Sequence, residues 1–174
     1  LTFAADFETT VYEGQEYTEV WASGLCRLGS EDVKIFHSID DTFEYLKSLR
    51  CNCLLYYHNL KFDGSFIIDY LLRNGYTYDD YLAEPNTFST MITDQKIFYS
   101  VKVRFDDRPQ INKNGKPKMR KGSPVFKKCI INFKDSLKKI PLKVSQMAKA
   151  YGLPDEKGVI DYKMYRPVGY ELTD

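Results

Sequence analysis

Two carboxylates stand two positions apart near the start of the chain, at the end of an apolar run. Asp6 and Glu8 flank Phe7 and follow Phe3. Because successive side chains of a strand alternate between its faces, both carboxylates would point to one side. Hard oxygen ligands placed side by side suit Mg²⁺ or Mn²⁺. The same spacing is also typical of a solvated strand face, so the pair alone leaves both interpretations open.

A second segment combines a carboxylate with amide and aromatic side chains. It covers residues 56–66, directly after an apolar, strand-like run. Asp63 lies where this predicted strand meets a predicted helix, and it can join the first two carboxylates if the two strands are neighbours. Asn59 offers an amide for hydrogen bonding to a nucleotide, and Phe62 and Phe66 offer flat faces for stacking on a base or sugar. Core packing explains Phe66 equally well.

The elements that must position these residues follow an α/β pattern. In the first half, the predicted elements are strands at 2–7, 18–28 and 32–37, a helix capped by Asp40 and Asp41, a strand at 52–57, and a helix at 63–74 closed by Gly75. The three strands are compatible with an antiparallel meander. Three strands followed by helix, strand and helix is the order of ribonuclease-H-like folds.

The second half contains a long polar stretch between predicted strands. Residues 87–105 are predicted to form a hairpin, residues 125–135 a strand, and residues 142–151 a short helix ended by Gly152. The stretch at 106–124 is rich in Lys, Pro and Gly. Its Asn-Gly pair can form the tight turn of a protruding ribbon, although disorder is the simpler expectation.

Composition fits one folded domain with an uneven charge distribution. The 174 residues are 43% hydrophobic and 15% aromatic, which argues against disorder. The net charge of +1 conceals a basic segment, residues 102–128, with ten Lys or Arg and two Asp; 15 basic and 22 acidic residues remain elsewhere. A basic segment on an otherwise acidic protein is expected where acidic side chains are clustered as ligands of a metal ion. A solvated, lysine-rich loop is the open alternative.

The cysteine spacing and the short apolar runs argue against a zinc-binding, secreted or membrane-inserted protein. Cys26, Cys51, Cys53 and Cys129 lack the paired spacing of a zinc site, so free thiols in a reducing compartment are expected. No signal sequence is recognisable, and no apolar stretch approaches the ~18 residues of a membrane span. Membrane insertion and secretion are therefore not expected, and the cytoplasm is the default location.

The ordered motifs resemble those of family B DNA polymerases, in the protein-primed branch of small phages and linear plasmids. Residues 6–10 are similar to the first exonuclease motif and residues 58–64 to the second. Residues 135–141, 157–162 and 166–170 resemble, in the same order, further segments of that branch's proofreading domain. The resemblance covers nearly the whole chain. It implies a ribonuclease-H-like 3′–5′ exonuclease fold with a mixed sheet, flanking helices and an added β-hairpin, encoded by a phage, prophage or plasmid.

The resemblance also implies a reaction and its residues. It implies two-metal hydrolysis of the 3′-terminal phosphodiester of single-stranded DNA, with two Mg²⁺ or Mn²⁺ ions. Asp6 would contact both ions, and Glu8 and Asp63 would each hold one. Lys157 would contact the scissile phosphate, although its neighbours alone indicate a solvated loop lysine. The residues implied to bind the single strand are Thr9, Tyr56, His58, Asn59, Phe62, Phe66, Ser136, Leu137 and Tyr162.

The family's third exonuclease motif has the pattern Tyr-x-x-x-Asp on a helix. Tyr170 and Asp174 have this spacing, but Tyr170 completes the 166–170 segment, which precedes that helix in the family. Residues 1–174 are therefore expected to form the exonuclease domain up to, but not including, the third motif, with a basic insertion at about 106–124. The implied partners are the 3′ end of single-stranded DNA, a polymerase domain in cis and a terminal priming protein.

Two alternatives to this prediction stay open. The chain could be a free-standing ribonuclease-H-like nuclease, which polymerase motifs in further coding sequence would exclude. It could instead be a non-catalytic module that binds single-stranded DNA or a replication partner. That module would keep its binding properties when Asp6 is replaced by alanine.

Overall fold

The computed structural model describes residues 1–154, 158, 160, 161 and 164–171. The chain begins with three strands, continues with helix, strand and helix, and then forms mainly strands. The strands in this part of the chain are β1 (Thr2–Thr9), β2 (Val20–Arg27), β3 (Val33–Phe36), β4 (Cys53–Tyr57), β5 (Thr77–Tyr78), β6 (Thr87–Ile92), β7 (Phe98–Arg104), β8 (Arg108–Pro109), β9 (Met119–Arg120), β10 (Ser123–Pro124), β11 (Phe126–Lys127) and β12 (Ile130–Asp135). The helices are α1 (Ile39–Ser48), α2 (Leu60–Arg73) and α3 (Val144–Tyr151).

A single mixed sheet of eight strands organises the fold, in the order β3-β2-β1-β4-β12-β7-β6-β5. The predicted antiparallel meander of β1, β2 and β3 is confirmed. β1 runs parallel to β4, with Ala4 opposite Tyr56, and β12 runs parallel to β4, with Asp135 opposite Tyr57. The carboxyl ends of β1, β4 and β12 therefore meet at one edge of the sheet. The predicted hairpin of β6 and β7 extends the sheet on its other side.

The core forms where α1 and α2 cover the sheet. Phe43 of α1 stacks on Tyr70 of α2, with ring centroids 4.0 Å apart, and also packs against Phe133 of β12. Leu46 and Ile67 are fully buried beside them. Burying each such side chain contributes about 1.5–3 kcal/mol, so these contacts fix the helices against the strands. This packing holds the first turn of α2 near the carboxyl end of β1.

Both long helices begin earlier than the sequence predicts. α1 is capped by Ser38, whose hydroxyl accepts the N–H of Asp41 at 3.0 Å, so the predicted capping by Asp40 and Asp41 is wrong. Ser38 also donates to the Asp41 carboxylate at 2.7 Å, which closes a reciprocal pair. α2 begins at Leu60 instead of 63. The helical turn before Asp63 is what carries its side chain into the interior.

Replacing Ser38 by alanine is expected to lower the free energy of unfolding by about 1 kcal/mol, because an N–H at the start of α1 loses its acceptor. Chemical denaturation measures this difference. Asp40→Ala is the matched control: Asp40 lies in the first turn but gives the cap no side-chain acceptor. An equal loss in both variants would contradict the assignment of Ser38 as the cap.

The basic segment at 106–124, for which disorder was the simpler expectation, forms a ribbon of short paired strands. β8 pairs with β11, β9 pairs with β10, and an isolated bridge joins Ile111 to Pro117. The turn is closed by Asn112, whose side chain accepts the N–H groups of Asn114 and Lys116 at 2.9 and 3.1 Å. Side-chain acceptors of this kind stabilise turns without a hydrophobic core. We call residues 106–128 the basic ribbon.

The last described segment returns to the amino-terminal half of the sheet. The ring of Tyr170 packs edge-on against Trp21 of β2, with centroids 5.8 Å apart, and Arg166 lies over Trp21. His37 donates from Nδ1 to the Tyr170 carbonyl at 2.7 Å. Tyr170 is thus held by backbone and ring contacts. Within the described ranges, no helix is long and apolar enough to cross a membrane.

Candidate functional site

Three carboxylates approach one another at the carboxyl edge of the parallel strands. Asp6 and Glu8 lie on the same face of β1, and Asp63 enters from the first turn of α2. β4 pairs with β1 only as far as Ala4, so the second half of β1 has β2 as its only strand partner among the described residues. Asp63 lies beside this open stretch, close enough for Asp6 and Glu8 to influence its ionisation. The condition set by the sequence, that β1 and β4 be neighbours, is met.

Asp63 is a buried carboxylate in an unfavourable environment. Its side chain is 3% exposed, and its Oδ1 atom has no hydrogen-bond partner in the described residues. The pKa of Asp63 is raised from 3.8 to about 7, chiefly by burial and also by the negative charges of Asp6 and Glu8. The N–H groups of Asp63 itself and of Phe7 oppose this change without cancelling it. A group with this combination of burial and like charge is typical of functional sites.

The donor chemistry of the three carboxylates fits a divalent cation. Carboxylate oxygens are hard ligands, and a cation would satisfy Asp63 Oδ1 and relieve the repulsion that raises its pKa. Among the described residues, however, no group of three His, Cys, Asp or Glu side chains is arranged to hold a metal ion. The residue types and the unsatisfied oxygen fit the ion, while the ligand positions would have to tighten around it.

Tyr57 lies next to this site and was not singled out from the sequence. It is fully buried at the end of β4, and its hydroxyl has no hydrogen-bond partner among the described residues. Burial raises its pKa, and Asp63 and Asp6 raise it further, which places the hydroxyl near both carboxylates. Its ring packs edge-on against Phe7 at 5.1 Å. A tyrosine in an apolar strand gives no sequence signal beyond core packing.

A buried carboxylate joins two of the predicted motif loops. Asp135, 6% exposed at the end of β12, accepts with Oδ1 from the N–H of Asn59 at 3.1 Å and of Leu137 at 2.9 Å. Asn59 has a left-handed backbone, with φ 72°, which side chains other than glycine seldom adopt. Asp135 therefore holds both loops in position. Sequence reasoning missed this role, although an acidic residue directly after an apolar strand is a usable signal.

Removing the Asp135 carboxylate is expected to lower the free energy of unfolding by roughly 2–4 kcal/mol, because Asp135→Ala leaves two inward N–H groups without an acceptor. Asp135→Asn keeps an oxygen at the same place and should recover most of the loss. Urea denaturation of both variants, with exposed Asp94→Ala as the control, measures the difference. Equal losses for Ala and Asn would show that charge, and not the acceptor, matters.

His58 and Ser136 cross-link the same loops. His58 Nε2 donates to the Leu142 carbonyl at 2.8 Å, and its Nδ1 lies 3.1 Å from Ser136 Oγ. The Ser136 hydroxyl and N–H both donate to the Tyr57 carbonyl. Both side chains are thus committed to internal hydrogen bonds. Any contact they make with a ligand has to share these bonds.

The remaining predicted binding residues differ in their exposure. Phe62 is 48% exposed and meets Phe66 edge-on at 5.3 Å, so its face is available for stacking. Tyr56 is half-buried, and its hydroxyl accepts from Lys139 at 3.1 Å. Thr9 is 8% exposed, which leaves narrow access to its hydroxyl. Lys157, Tyr162 and Asp174 lie outside the described residues.

A cleft of about 520 Å³ opens beside the second motif loop. It is lined by His58, Asn59, Leu137, Lys143, Val144 and Ser145, which come from the start of α2, the loop after β12 and the start of α3. Two parts of the chain that are far apart in sequence therefore line one surface. It is wide enough for a nucleotide-sized group, since ligand pockets measure about 300–1,000 Å³.

Comparison with known proteins gives consistent matches over this chain. The family model for "DNA polymerase type B, organellar and viral" matches residues 49–173. The chain is 36% identical over 172 residues to the DNA polymerase of Bacillus phage Nf, and 36% identical over 173 residues to that of Bacillus phage phi29. In both comparisons 98% of this chain is covered, and it spans 26%, about a quarter, of the relative's length.

A solved structure shares the same architecture. "Phi29 DNA polymerase complexed with single-stranded DNA" superposes with a TM-score of 0.79 and 33% sequence identity, covering 99% of this chain and 27% of that one. Since the family model covers most of the chain and the fold agrees over almost all of it, the chain belongs to the organellar and viral type B DNA polymerases.

Proposed function

We propose that the chain is the proofreading 3′–5′ exonuclease domain of a DNA-directed, protein-primed family B DNA polymerase. The observation that carries the proposal is the buried Oδ1 of Asp63, which has no hydrogen-bond partner among the described residues and lies beside Asp6 and Glu8 at the carboxyl ends of parallel strands. Three carboxylates in this position are suited to cations that act on a phosphodiester. Membership of the polymerase family supports DNA as the substrate.

The sheet supports a ribonuclease-H-like assignment of the fold. An antiparallel β3-β2-β1 unit continues into parallel β4 and β12, and helices α1 and α2 precede and follow β4. The added β6-β7 hairpin extends the sheet beside β12. In this fold we assign residues 1–174 to the exonuclease domain up to, but not including, the third exonuclease motif, with a basic insertion at about 106–124.

In the proposed reaction, Asp6 would hold both divalent ions, and Glu8 and Asp63 would each hold one. When bound, Mg²⁺ or Mn²⁺ would lower the pKa of a water molecule and stabilise charge on the phosphate and the leaving 3′ oxygen. Asp63 must be deprotonated for this role. Its buried position strengthens its attraction for a cation. No side chain has to act as a covalent nucleophile.

The loops around the carboxylates would hold a single-stranded 3′ end. Phe62 presents an exposed ring for stacking. Asn59, whose N–H is held by the Asp135 carboxylate, lines the cleft. Unpairing costs least at a mismatched end, so such a site selects errors without reading sequence. Thr9, Tyr56, His58, Phe66, Ser136 and Leu137 would complete the channel, together with Lys157 and Tyr162. A polymerase domain in cis and a terminal priming protein would be the partners.

A non-catalytic, single-strand-binding module is the second candidate. It is favoured by one observation, that no three acidic or other ligand side chains in the described residues already form a metal cluster. A free-standing nuclease is less well supported, since the matched polymerases are about four times as long.

The deciding experiment is degradation of 5′-labelled single-stranded DNA with Mg²⁺ or Mn²⁺. It compares this chain, its Asp6→Ala variant, and a version extended through the third exonuclease motif. Metal-dependent shortening from the 3′ end that Asp6→Ala eliminates supports the exonuclease. If all versions bind single strands but none shortens them, the binding module replaces it.

A further inference from the structure

A second concentration of positive charge lies at the base of the basic ribbon. An open cleft of about 710 Å³ is lined by Arg50, Arg108, Pro109, Gln110, Ile111 and Lys127. We name it the basal cleft. Its three cations come from two separate places, the end of α1 and the paired strands β8 and β11. It has no acidic lining residue, and none of its cations forms an ion pair within the described ranges.

Two neighbouring basic residues and Asp107 are engaged in contacts of their own and do not pair with the three cations of the cleft. Arg104 is buried and donates to the Leu82 carbonyl at 2.9 Å, and it also binds the Asp107 carboxylate at 2.7 Å. Lys128 donates to the same Leu82 carbonyl at 3.1 Å. Arg104 and Lys128 therefore hold the loop before β6, and Arg104 neutralises Asp107. Within the ribbon, Asp106 is the other acidic residue, and it lines a neighbouring cleft together with Glu44 and Arg50.

The backbone conformation at Arg50 is compatible with a function for its side chain, although Lys96 and Lys121 adopt the same left-handed region. Arg50 follows α1 with φ 46°, in the left-handed region that glycine normally occupies after a helix. Its N–H donates to the Lys47 carbonyl at 3.2 Å, as expected for that position. A long charged side chain is thus kept where backbone preference favours glycine. Departures from local preference of this kind are expected where a side chain has a function.

The basal cleft is well separated from the carboxylates. β12 begins beside the ribbon at Ile130 and ends at Asp135, and five steps of about 3.3 Å place its ends roughly 17 Å apart. Arg50 precedes β4, at the same edge as Ile130. The residues of the cleft therefore cannot contact a nucleotide bound at the carboxylates. It can only reach phosphates farther along the same molecule.

We propose that the basal cleft binds the phosphate backbone of the DNA whose 3′ end enters the carboxylate site. Arginine recognises phosphate through paired N–H donors, and an unpaired cluster of cations gains affinity by displacing counterions from the strand. The proposal rests on the proposed function for its ligand. Binding in the absence of catalysis can be measured separately, so the two can fail independently.

The test is the affinity of the chain for fluorescein-labelled DNA in EDTA, measured over a range of NaCl concentrations. Arg50→Gln with Arg108→Gln should weaken binding about tenfold and reduce the slope of log affinity against log salt by about 1.5, since each phosphate contact contributes roughly 0.7–0.9. Arg27→Gln with Lys34→Gln removes the same charge from exposed positions on β2 and β3. This control pair should change both values much less. Single-stranded and duplex arms identify which part of the DNA the cleft holds.

Equal losses in the two double variants would overturn the proposal, because net charge alone would explain them. An unchanged slope for the Arg50 and Arg108 variant would also overturn it. Arg50→Gly separates ligand binding from folding: glycine suits the left-handed backbone, so the melting temperature should not fall while DNA affinity does. If binding depends on the cleft but no version degrades DNA, the cleft stands and the exonuclease proposal fails.

Discussion

Asp63→Asn is expected to reduce metal-dependent degradation of single-stranded DNA by at least about 100-fold, in whichever version of the chain is active. Asparagine has nearly the same shape, so the packing at the start of α2 is kept. What is lost is a negative charge at an atom that no described donor satisfies. The rate of release of labelled nucleotide from the 3′ end, at saturating DNA, measures the effect.

The matched control is Asp94→Asn, which makes the same chemical change at an exposed turn. It should leave the rate unchanged. Asp6→Ala should be as damaging as Asp63→Asn, and the double variant should be little worse than either, because in the proposed mechanism both residues would hold the same ions. Full activity in Asp63→Asn would show that its burial serves the fold alone.

The stability of the fold is expected to fall as pH rises, in the absence of divalent ions. The folded pKa of Asp63 is raised from 3.8 to about 7, so its favourable contribution is present below the unfolded pKa and is lost as pH rises through about 7. Between about pH 5 and pH 8 this group alone should lower the free energy of unfolding by roughly 3 kcal/mol. Urea denaturation in EDTA at the two pH values measures the change.

Asp63→Asn should remove most of this pH dependence and stabilise the protein near pH 8. Mg²⁺ should raise the melting temperature of the unmodified chain at that pH, and have little effect on the variant. The same substitution is thus expected to reduce activity while it increases stability. This combination is expected where a functional side chain destabilises the folded protein. A pH dependence that persists in Asp63→Asn would assign it to another group.

Part of the site was predictable because it depends on local periodicity. Asp6 and Glu8 share a face of β1 because side chains alternate along a strand. Asp63 reaches them because β1 and β4 are parallel neighbours, a condition that the sequence could state but not verify. The hairpin of β6 and β7 and the glycine that ends α3 followed from equally local signals.

Other features depended on contacts that no short pattern contains. The cap of α1 is Ser38 because its hydroxyl, and not the nearby carboxylates, reaches the free N–H. The basic ribbon folds because Asn112 closes its turn and short strands pair beyond it. Composition alone favoured disorder there, since composition does not register such hydrogen bonds.

By itself, the sequence determined the residue types, their spacing and the order of the motifs, which was enough to identify the family. Tertiary structure alone decided that Asp135 holds the Asn59 N–H and that Tyr57 lies beside the carboxylates. It also decided that Arg50 and Arg108 line one cleft at the far edge of the sheet. The physical reason is that periodicity sets the face on which a side chain lies, whereas its neighbours across the fold come from strand pairing and helix packing. Burial, and with it the raised pKa of Asp63, is a property of those neighbours.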